Sequence, residues 1–277
     1  MIAHSREIEP TPHWSALLEH LAALESTAVA FSGGVDSTLL AKAAHDVLGE
    51  RCVAVLAVSP SLPAQEREES RALAALIGIA LIETGTREAE DPRYVANAPN
   101  RCYFCKSHLF DEMERIREER GLTTVCYGAI TDDLGDHRPG MTAARERRIA
   151  APLLEAGLCK LEVREASRRL GLPTAEKPAM ACLASRIPHG TPVTLARLDA
   201  VERAESAVRA LGYRQVRVRH HGDLGRLEVG QDELQRALAD AEPLVSAITS
   251  AGFARAEIDP HGYGAPRPGV AAASPPR

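Results

Sequence analysis

No stretch of the 277-residue chain is apolar over the roughly 18 residues that a membrane-spanning helix needs. Also missing is a basic N-terminal segment followed by an apolar run, so no secretory signal is expected and the chain reads as cytoplasmic. Positive charge is not in excess: 33 Lys and Arg stand against 38 Asp and Glu, for a formal net charge of -5. That balance gives a polyanion or an anionic membrane no overall attraction, which argues against nucleic acid or a lipid surface as partner. There is no internal repeat, and the single C-x-x-C pair has no second copy to complete a four-thiolate zinc site.

What is present is an alternation of short apolar runs with helical repeats. Ala28 to Phe31, Cys52 to Val58, Ile79 to Ile82 and Thr124 to Tyr127 are almost continuously apolar or β-prone, as strands covered on both faces are. Between the first two, Val35, Leu39, Leu40, Ala43, Ala44, Val47 and Leu48 recur at helical spacing, and Gly49 stands where a helix-ending glycine is expected. Ala64 to Ile77 and Lys106 to Glu119 predict further helices. The alternation predicts an α/β fold with a doubly wound parallel sheet, whose ligands bind beyond the carboxyl ends of its strands. Cys52 and Cys126 fall inside the apolar runs and read as core; Cys159 carries no signal.

From about Glu155 the pattern changes. A helix around Leu161 to Leu170 stops at Gly171-Leu172-Pro173, and a loop rich in Pro, Ala and Cys runs from Thr174 to Pro192. A long helix (Leu195 to Leu211), two strands (Gln215 to His220, Leu224 to Val229), two short helices and a strand near Ala254 to Ile258 predict a smaller α+β domain. The expected organisation is an N-terminal extension (1–27), a nucleotide-binding domain (28–173), a cysteine-bearing loop (174–193) and a C-terminal α+β domain (194–263). A Pro-, Ala- and Gly-rich tail (264–277), expected to be disordered, follows.

Ser32-Gly33-Gly34-Val35-Asp36-Ser37 lies between the first strand and the first helix. Two glycines let the backbone turn tightly and bring its N–H groups to an anion, and the helix behind them adds unpaired amides and the positive end of its dipole. Ser32, Ser37 and Thr38 add hydroxyl donors. No lysine follows the glycines, so this is not the loop that grips β- and γ-phosphates for phosphoryl transfer. An ordinary glycine-rich turn is the alternative. The pattern resembles the pyrophosphate loop of the PP-loop ATPases, which implies ATP binding, cleavage between the α- and β-phosphates and transfer of AMP.

Cys102-Tyr103-Phe104-Cys105 puts two thiols on one turn, and Cys182 stands some eighty residues later. Zinc with His108 or His189 as fourth ligand, a redox dithiol and an iron–sulfur cluster are all open to this spacing. Three thiolates on a 4Fe–4S cluster would leave one iron for an exogenous ligand such as hydrosulfide. Strand alternation puts Arg217, Arg219 and His221 on one face, opposite Val216 and Val218. Paired guanidinium forks suit a phosphate monoester, although pattern alone favours a solvated polar face. After the fourth strand, Gly128 to Gly140 is long for a connection and dense in carboxylates, which suits Mg²⁺ or a ribose as well as it suits a plain acidic loop.

Taken together, the Ser32–Ser37 loop, Arg101-Cys102-Tyr103-Phe104-Cys105-Lys106, Asp132-Asp133-Leu134-Gly135-Asp136-x-Arg138-Pro139-Gly140 and Cys182-Leu183-Ala184-Ser185-Arg186-Ile187-Pro188 resemble the LarE-type ATP-dependent sulfur transferases. The resemblance runs from about Ala28 to Ile258. It implies an enzyme of nickel-pincer nucleotide assembly, the cofactor of lactate racemase. Such an enzyme adenylates the carboxylates of pyridinium-3,5-biscarboxylic acid mononucleotide and replaces each acyl AMP with a thiocarboxylate. By the same resemblance Ser32, Gly33, Gly34, Asp36 and Ser37 hold ATP, with Ser59, Gly128 and Asp133 as further contacts. Ser185, Arg217 and Arg219 bind the substrate phosphate, Arg186 stabilises charge near the acyl adenylate, Glu205 ligates a divalent cation, and the assembly is a homo-oligomer, a hexamer.

Some members of that family give up the sulfur of a cysteine of their own. Here that position falls at Ala181, beside Cys182, and the C-x-x-C pair is present instead. The combination resembles the subgroup with a 4Fe–4S cluster on Cys102, Cys105 and Cys182, supplied by sulfide or a sulfur-donor protein. The expected cofactors are ATP, Mg²⁺ and that cluster. Sacrifice of Cys182 itself, a PP-loop tRNA thiolase and a non-catalytic nucleotide sensor are the competing readings.

Overall fold

The computed structural model describes residues 11–135, 138–179 and 181–264. Most of the proline-rich tail, the first ten residues of the extension, and Asp136 and His137 of the acidic loop lie outside the described residues. Two compact units are formed: one from the described residues within Met1–Asp91 and Asn100–Met180, the other from those within Pro92–Pro99 and Ala181–Arg277.

The first unit is the expected doubly wound α/β fold. Its sheet contains β1 (Thr27–Ala30), β2 (Cys52–Val58), β3 (Ala80–Gly85) and β4 (Thr124–Cys126), in the order β3-β2-β1-β4 with every pair parallel. Thr27 pairs with Cys52 on one side and Thr124 on the other, which makes β1 the strand from which the sheet winds both ways. All four β1 residues are buried. Val29 packs with the Pro12–Ala23, Val35–Leu48 and Lys160–Arg169 helices, while Ala28 and Ala30 face the Arg101–Glu119 and Pro139–Glu146 helices. Two-sided burial explains why β1 and β2 read as continuous apolar runs rather than as alternating ones. The Arg101–Glu119 helix starts five residues before Lys106. Its buried apolar positions Leu109, Phe110, Met113 and Ile116 all lie beyond the first two turns, so hydrophobic periodicity could not reveal the helix start, where the buried residue is Arg101.

The second unit holds a smaller sheet, β5 (Val216–His221), β6 (Leu224–Val229) and β7 (Arg255–Ile258), antiparallel between β5 and β6 and parallel between β6 and β7. The Leu195–Ala210 helix begins at Thr194, whose hydroxyl accepts from the Arg197 amide at 3.3 Å. Pro92–Pro99 belongs to this unit. Asn97, buried and at φ 54°, sends its side-chain amide to the carbonyls of Ile187, Pro188 and Thr191 at 3.2, 2.8 and 2.8 Å. Among the described residues no helix is long and apolar enough to cross a membrane.

Phe110 and Met113 are fully buried between the Arg101–Glu119 helix and the sheet. Phe110→Ala is expected to destabilise the first unit by about 3–5 kcal/mol. A urea titration followed by circular dichroism reads this as a lower midpoint with an unchanged slope.

Candidate functional site

The Ser32–Ser37 loop leaves the carboxyl end of β1 and passes into the Val35–Leu48 helix, with Gly34 at its N-cap position. Helix geometry leaves the first-turn amides without intrahelical acceptors. The loop is tied across its mouth: the Ser37 hydroxyl accepts from the Ser32 amide at 3.2 Å, lies 3.1 Å from Ser32 Oγ and donates to the Gly34 carbonyl at 3.2 Å. Gly33 sits at φ +67°, and a Cβ there would fall 2.6 Å from Ser70 Oγ. Gly128, just past β4, is hemmed in by backbone instead, since a Cβ would meet Ser37 N at 3.1 Å and Asp36 C at 3.2 Å. Both residues bracket the point where the sheet winds apart, and there the open α/β fold leaves a crevice. Ser59 follows β2 at the same end, its hydroxyl 2.9 Å from Ser61 Oγ and accepting from the Ser61 amide at 3.2 Å.

The acidic loop folds as a short 3₁₀ turn, Thr131–Gly135. Asp133 is buried, accepts from the Ile130 amide at 3.0 Å and pairs with Arg138. Burial pushes its carboxyl above the usual range, against the opposing pull of the Ile130 amide and Arg138. Asp132 accepts from the backbone amide of Lys160 at 2.8 Å. Lys160 then reaches into the phosphate loop, its Nζ 2.7 and 2.6 Å from the two oxygens of Asp36. Lys177 lies on the other side of the loop, donating to the Gly33 carbonyl at 3.1 Å and to Glu69 at 2.9 Å. Neither lysine follows from the sequence pattern, because they lie 124 and 144 residues beyond the loop positions that they touch. The one available cue was the missing lysine inside the loop, which leaves an anion site in need of cations from elsewhere.

No disulfide joins any of the six cysteines. Cys52 and Cys126 are buried in the sheet, and burial pushes their thiols up to about 11 and about 12, so neither supplies a thiolate near neutrality. Cys102 and Cys105 lie one turn apart at the start of the Arg101–Glu119 helix, the first exposed and the second half-buried. As a donor pair they fit two positions of a thiolate-bound metal or cluster. Among the described residues, however, no group of three or more His, Cys, Asp or Glu is assembled to hold a metal ion. His108 is engaged with Asp91 at 3.1 Å, and His189 lies 3.2 Å from the Asn97 carbonyl.

Cys182, half-buried, opens the Leu183–Arg186 turn in the second unit. Arg186, Arg217, Arg219 and Ser185 meet here. The buried Arg186 guanidinium holds Glu205 through Nε at 2.8 Å and Nη2 at 3.2 Å. Its Nη1 donates to the carbonyls of Ala181 and Cys182 and to Ser185 Oγ. Arg219 donates to Glu228 at 3.0 and 2.8 Å and to the Ser185 carbonyl at 3.2 Å. Arg217 is buried with its guanidinium 5.3 Å from the Tyr263 ring centroid; burial, aided by Arg186, lowers its pKa. So dense a set of guanidiniums favours an anion. Glu205, expected to ligate a cation, is fully buried and has both oxygens engaged by Arg186, Arg209 (2.7 Å) and the Val218 amide (3.0 Å). Arg186, expected at the acyl adenylate, likewise has all three nitrogens committed within the protein.

No protein-family model matches the chain. It is 46% identical, over 87% of its length and 90% of the relative, to an uncharacterized protein of Synechocystis sp.. A shorter similarity, 28% identical over 52% of the chain and 50% of the relative, joins it to a component of the glutamine-hydrolyzing GMP synthase of Archaeoglobus fulgidus. Another relative is the pyridinium-3,5-bisthiocarboxylic acid mononucleotide synthase of Lactiplantibacillus plantarum, 33% identical over 90% of the chain and 91% of that enzyme. A similarity of that extent, in a chain whose parallel sheet opens on a Ser-Gly-Gly-Val-Asp-Ser loop, makes this protein an enzyme that belongs to the LarE-type ATP-dependent sulfur transferases of the PP-loop ATPase superfamily.

Proposed function

We propose that the chain adenylates the carboxylates of pyridinium-3,5-biscarboxylic acid mononucleotide and converts them to thiocarboxylates, a step in nickel-pincer nucleotide assembly. The observation that carries this reading is the Ser32–Ser37 loop at the winding point of the sheet, pressed against Gly128. Near full-length similarity to a synthase named for the bisthiocarboxylic product supports it. In the first half-reaction a substrate carboxylate oxygen attacks the α-phosphorus of ATP, and the bond to the bridging oxygen breaks. Pyrophosphate leaves into the amides and hydroxyls of the loop, where Lys160 and Lys177 add positive charge. Asp36 and Asp133 are the carboxylates offered to Mg²⁺ or the ribose. In the second, hydrosulfide attacks the acyl carbon, AMP departs with the bridging oxygen, and the thiocarboxylate forms with release of one proton. Adenylation supplies the leaving group that a free carboxylate lacks.

Ser185, Arg217 and Arg219 are proposed to hold the phosphate of the mononucleotide, a dianion that the guanidinium cluster of the second unit would neutralise. We further infer that Cys102, Cys105 and Cys182 would hold a 4Fe–4S cluster, which with three thiolates keeps one iron free to carry sulfide in deprotonated form. The second reading, sacrifice of the Cys182 sulfur, needs no further ligands: Cys182 is half-buried at the start of the turn that carries Ser185.

Pyrophosphate release from ATP is expected with the biscarboxylic mononucleotide and not with tRNA. The opposite preference would replace this reading with a tRNA thiolase. Gly128→Val, which pushes a branched side chain into the Asp36–Ser37 backbone, is expected to slow pyrophosphate release on the order of 10²-fold. Anaerobically purified protein is expected to contain iron and acid-labile sulfide and to lose both in Cys102→Ala. A colourless protein whose Cys182 becomes about 34 mass units lighter after turnover, the mass of H₂S, would establish sacrifice instead.

A further inference from the structure

An arginine and a glutamate that are both wholly inaccessible need a reason to be charged there. Burying such a pair costs desolvation, and similar apolar side chains are often as stable or more so. Stability is therefore a weak account of Arg186 and Glu205. What the pair does geometrically is more specific. Glu205 grips Nε and Nη2 of Arg186 along one edge of the guanidinium, which fixes the plane of the group. The remaining nitrogen, Nη1, is thereby aimed at the carbonyls of Ala181 and Cys182 and at the hydroxyl of Ser185. The Cys182 carbonyl also accepts from the Ser185 amide at 2.9 Å, closing the turn. Glu205 is anchored in its own right by Arg209 and by the Val218 amide of β5.

We propose that Glu205 and Arg186 are positioning residues whose task is to clamp the backbone of Ala181 and Cys182, and so to fix where the Cys182 side chain leaves the turn. The clamp ties Cys182 to β5, the strand that carries Arg217 and Arg219. Arg219 pins the other end of the same turn through the Ser185 carbonyl. One short turn thus carries a thiol at its start and an anion-binding serine near its end, both referred to a single strand. Its importance for sulfur transfer rests on the function proposed above; the clamp itself does not.

The test is local hydrogen exchange of the full-length protein, read by mass spectrometry on peptides covering residues 181–190 and, separately, β5 and β6. Glu205→Gln leaves Arg186 without its counter-charge. The double variant Arg186→Met with Glu205→Leu removes the clamp while keeping the core filled, which guards against a single variant that fails to fold. Both are expected to speed exchange of the 181–190 peptide by about tenfold or more while β6 keeps the wild-type rate and β5 changes at most at Val218, whose amide is bonded to Glu205. Alkylation of Cys182 by iodoacetamide in apo protein is expected to rise alongside, with Cys159 in the first unit unchanged. Wild-type exchange and alkylation at 181–190 in the folded double variant would overturn the proposal and leave the pair as a core ion pair. Neither readout needs ATP or substrate, so failure here and failure of the proposed reaction are told apart.

Discussion

Between Gly128 and the first turn of the Val35–Leu48 helix even a Cβ would press on backbone at 3.1 Å from Ser37 N, and this close approach of two backbones is the constraint on which the carboxyl end of the sheet depends. It brings the segment after β4 against the segment after β1 at the point where the sheet winds in opposite directions. An anion placed there would meet amides from a helix start beside the Ser32 and Ser37 hydroxyls, and such fixed donors need no reorganisation when charge arrives. The surrounding polar groups are arranged around that gap. Ser37 ties the loop to Ser32, Lys160 ties Asp36 to the helix that begins beside it, and Lys177 ties Gly33 to Glu69.

The second unit reaches its specificity by a different route. Burial, and then the nearby charge of Arg186, depress the pKa of Arg217, and two buried glutamates, Glu205 and Glu228, keep the cluster tolerable. For Glu205, burial alone would raise the carboxyl, but hydrogen bonding and charge from Arg186 and Arg209 bring it below its ordinary value. A carboxylate held low in this way stabilises the fold above its unfolded pKa, and that contribution fades as the solution is acidified through the lower folded value.

The parallel sheet was legible because β1 and β2 are buried on both faces and so must be apolar throughout, a demand that few other arrangements make. The phosphate loop was legible because its glycines are dictated by backbone geometry. Lys160 and Lys177 were not, since a lone lysine reads as solvated surface until the fold delivers it. The start of the Arg101–Glu119 helix was hidden for a related reason: Cys102 and Cys105 lie on a stretch without a buried apolar stripe. Arg217 looked like one of two equivalent arginines on a strand face, but packing separates them, burying one against Tyr263 and leaving the other half-exposed.

Asn97 makes the second unit discontinuous along the chain. Its amide supplies the donors for three carbonyls some ninety residues further on, so the Ile187–Thr191 stretch is held by a segment from the first half of the sequence. The dependence is mutual, since the Gly190 and Val193 amides donate back to the carbonyls of Asn97 and Val95. A fragment beginning at Ala181 would lack that segment, so the two halves cannot be exchanged between proteins as independent modules by a single genetic crossover.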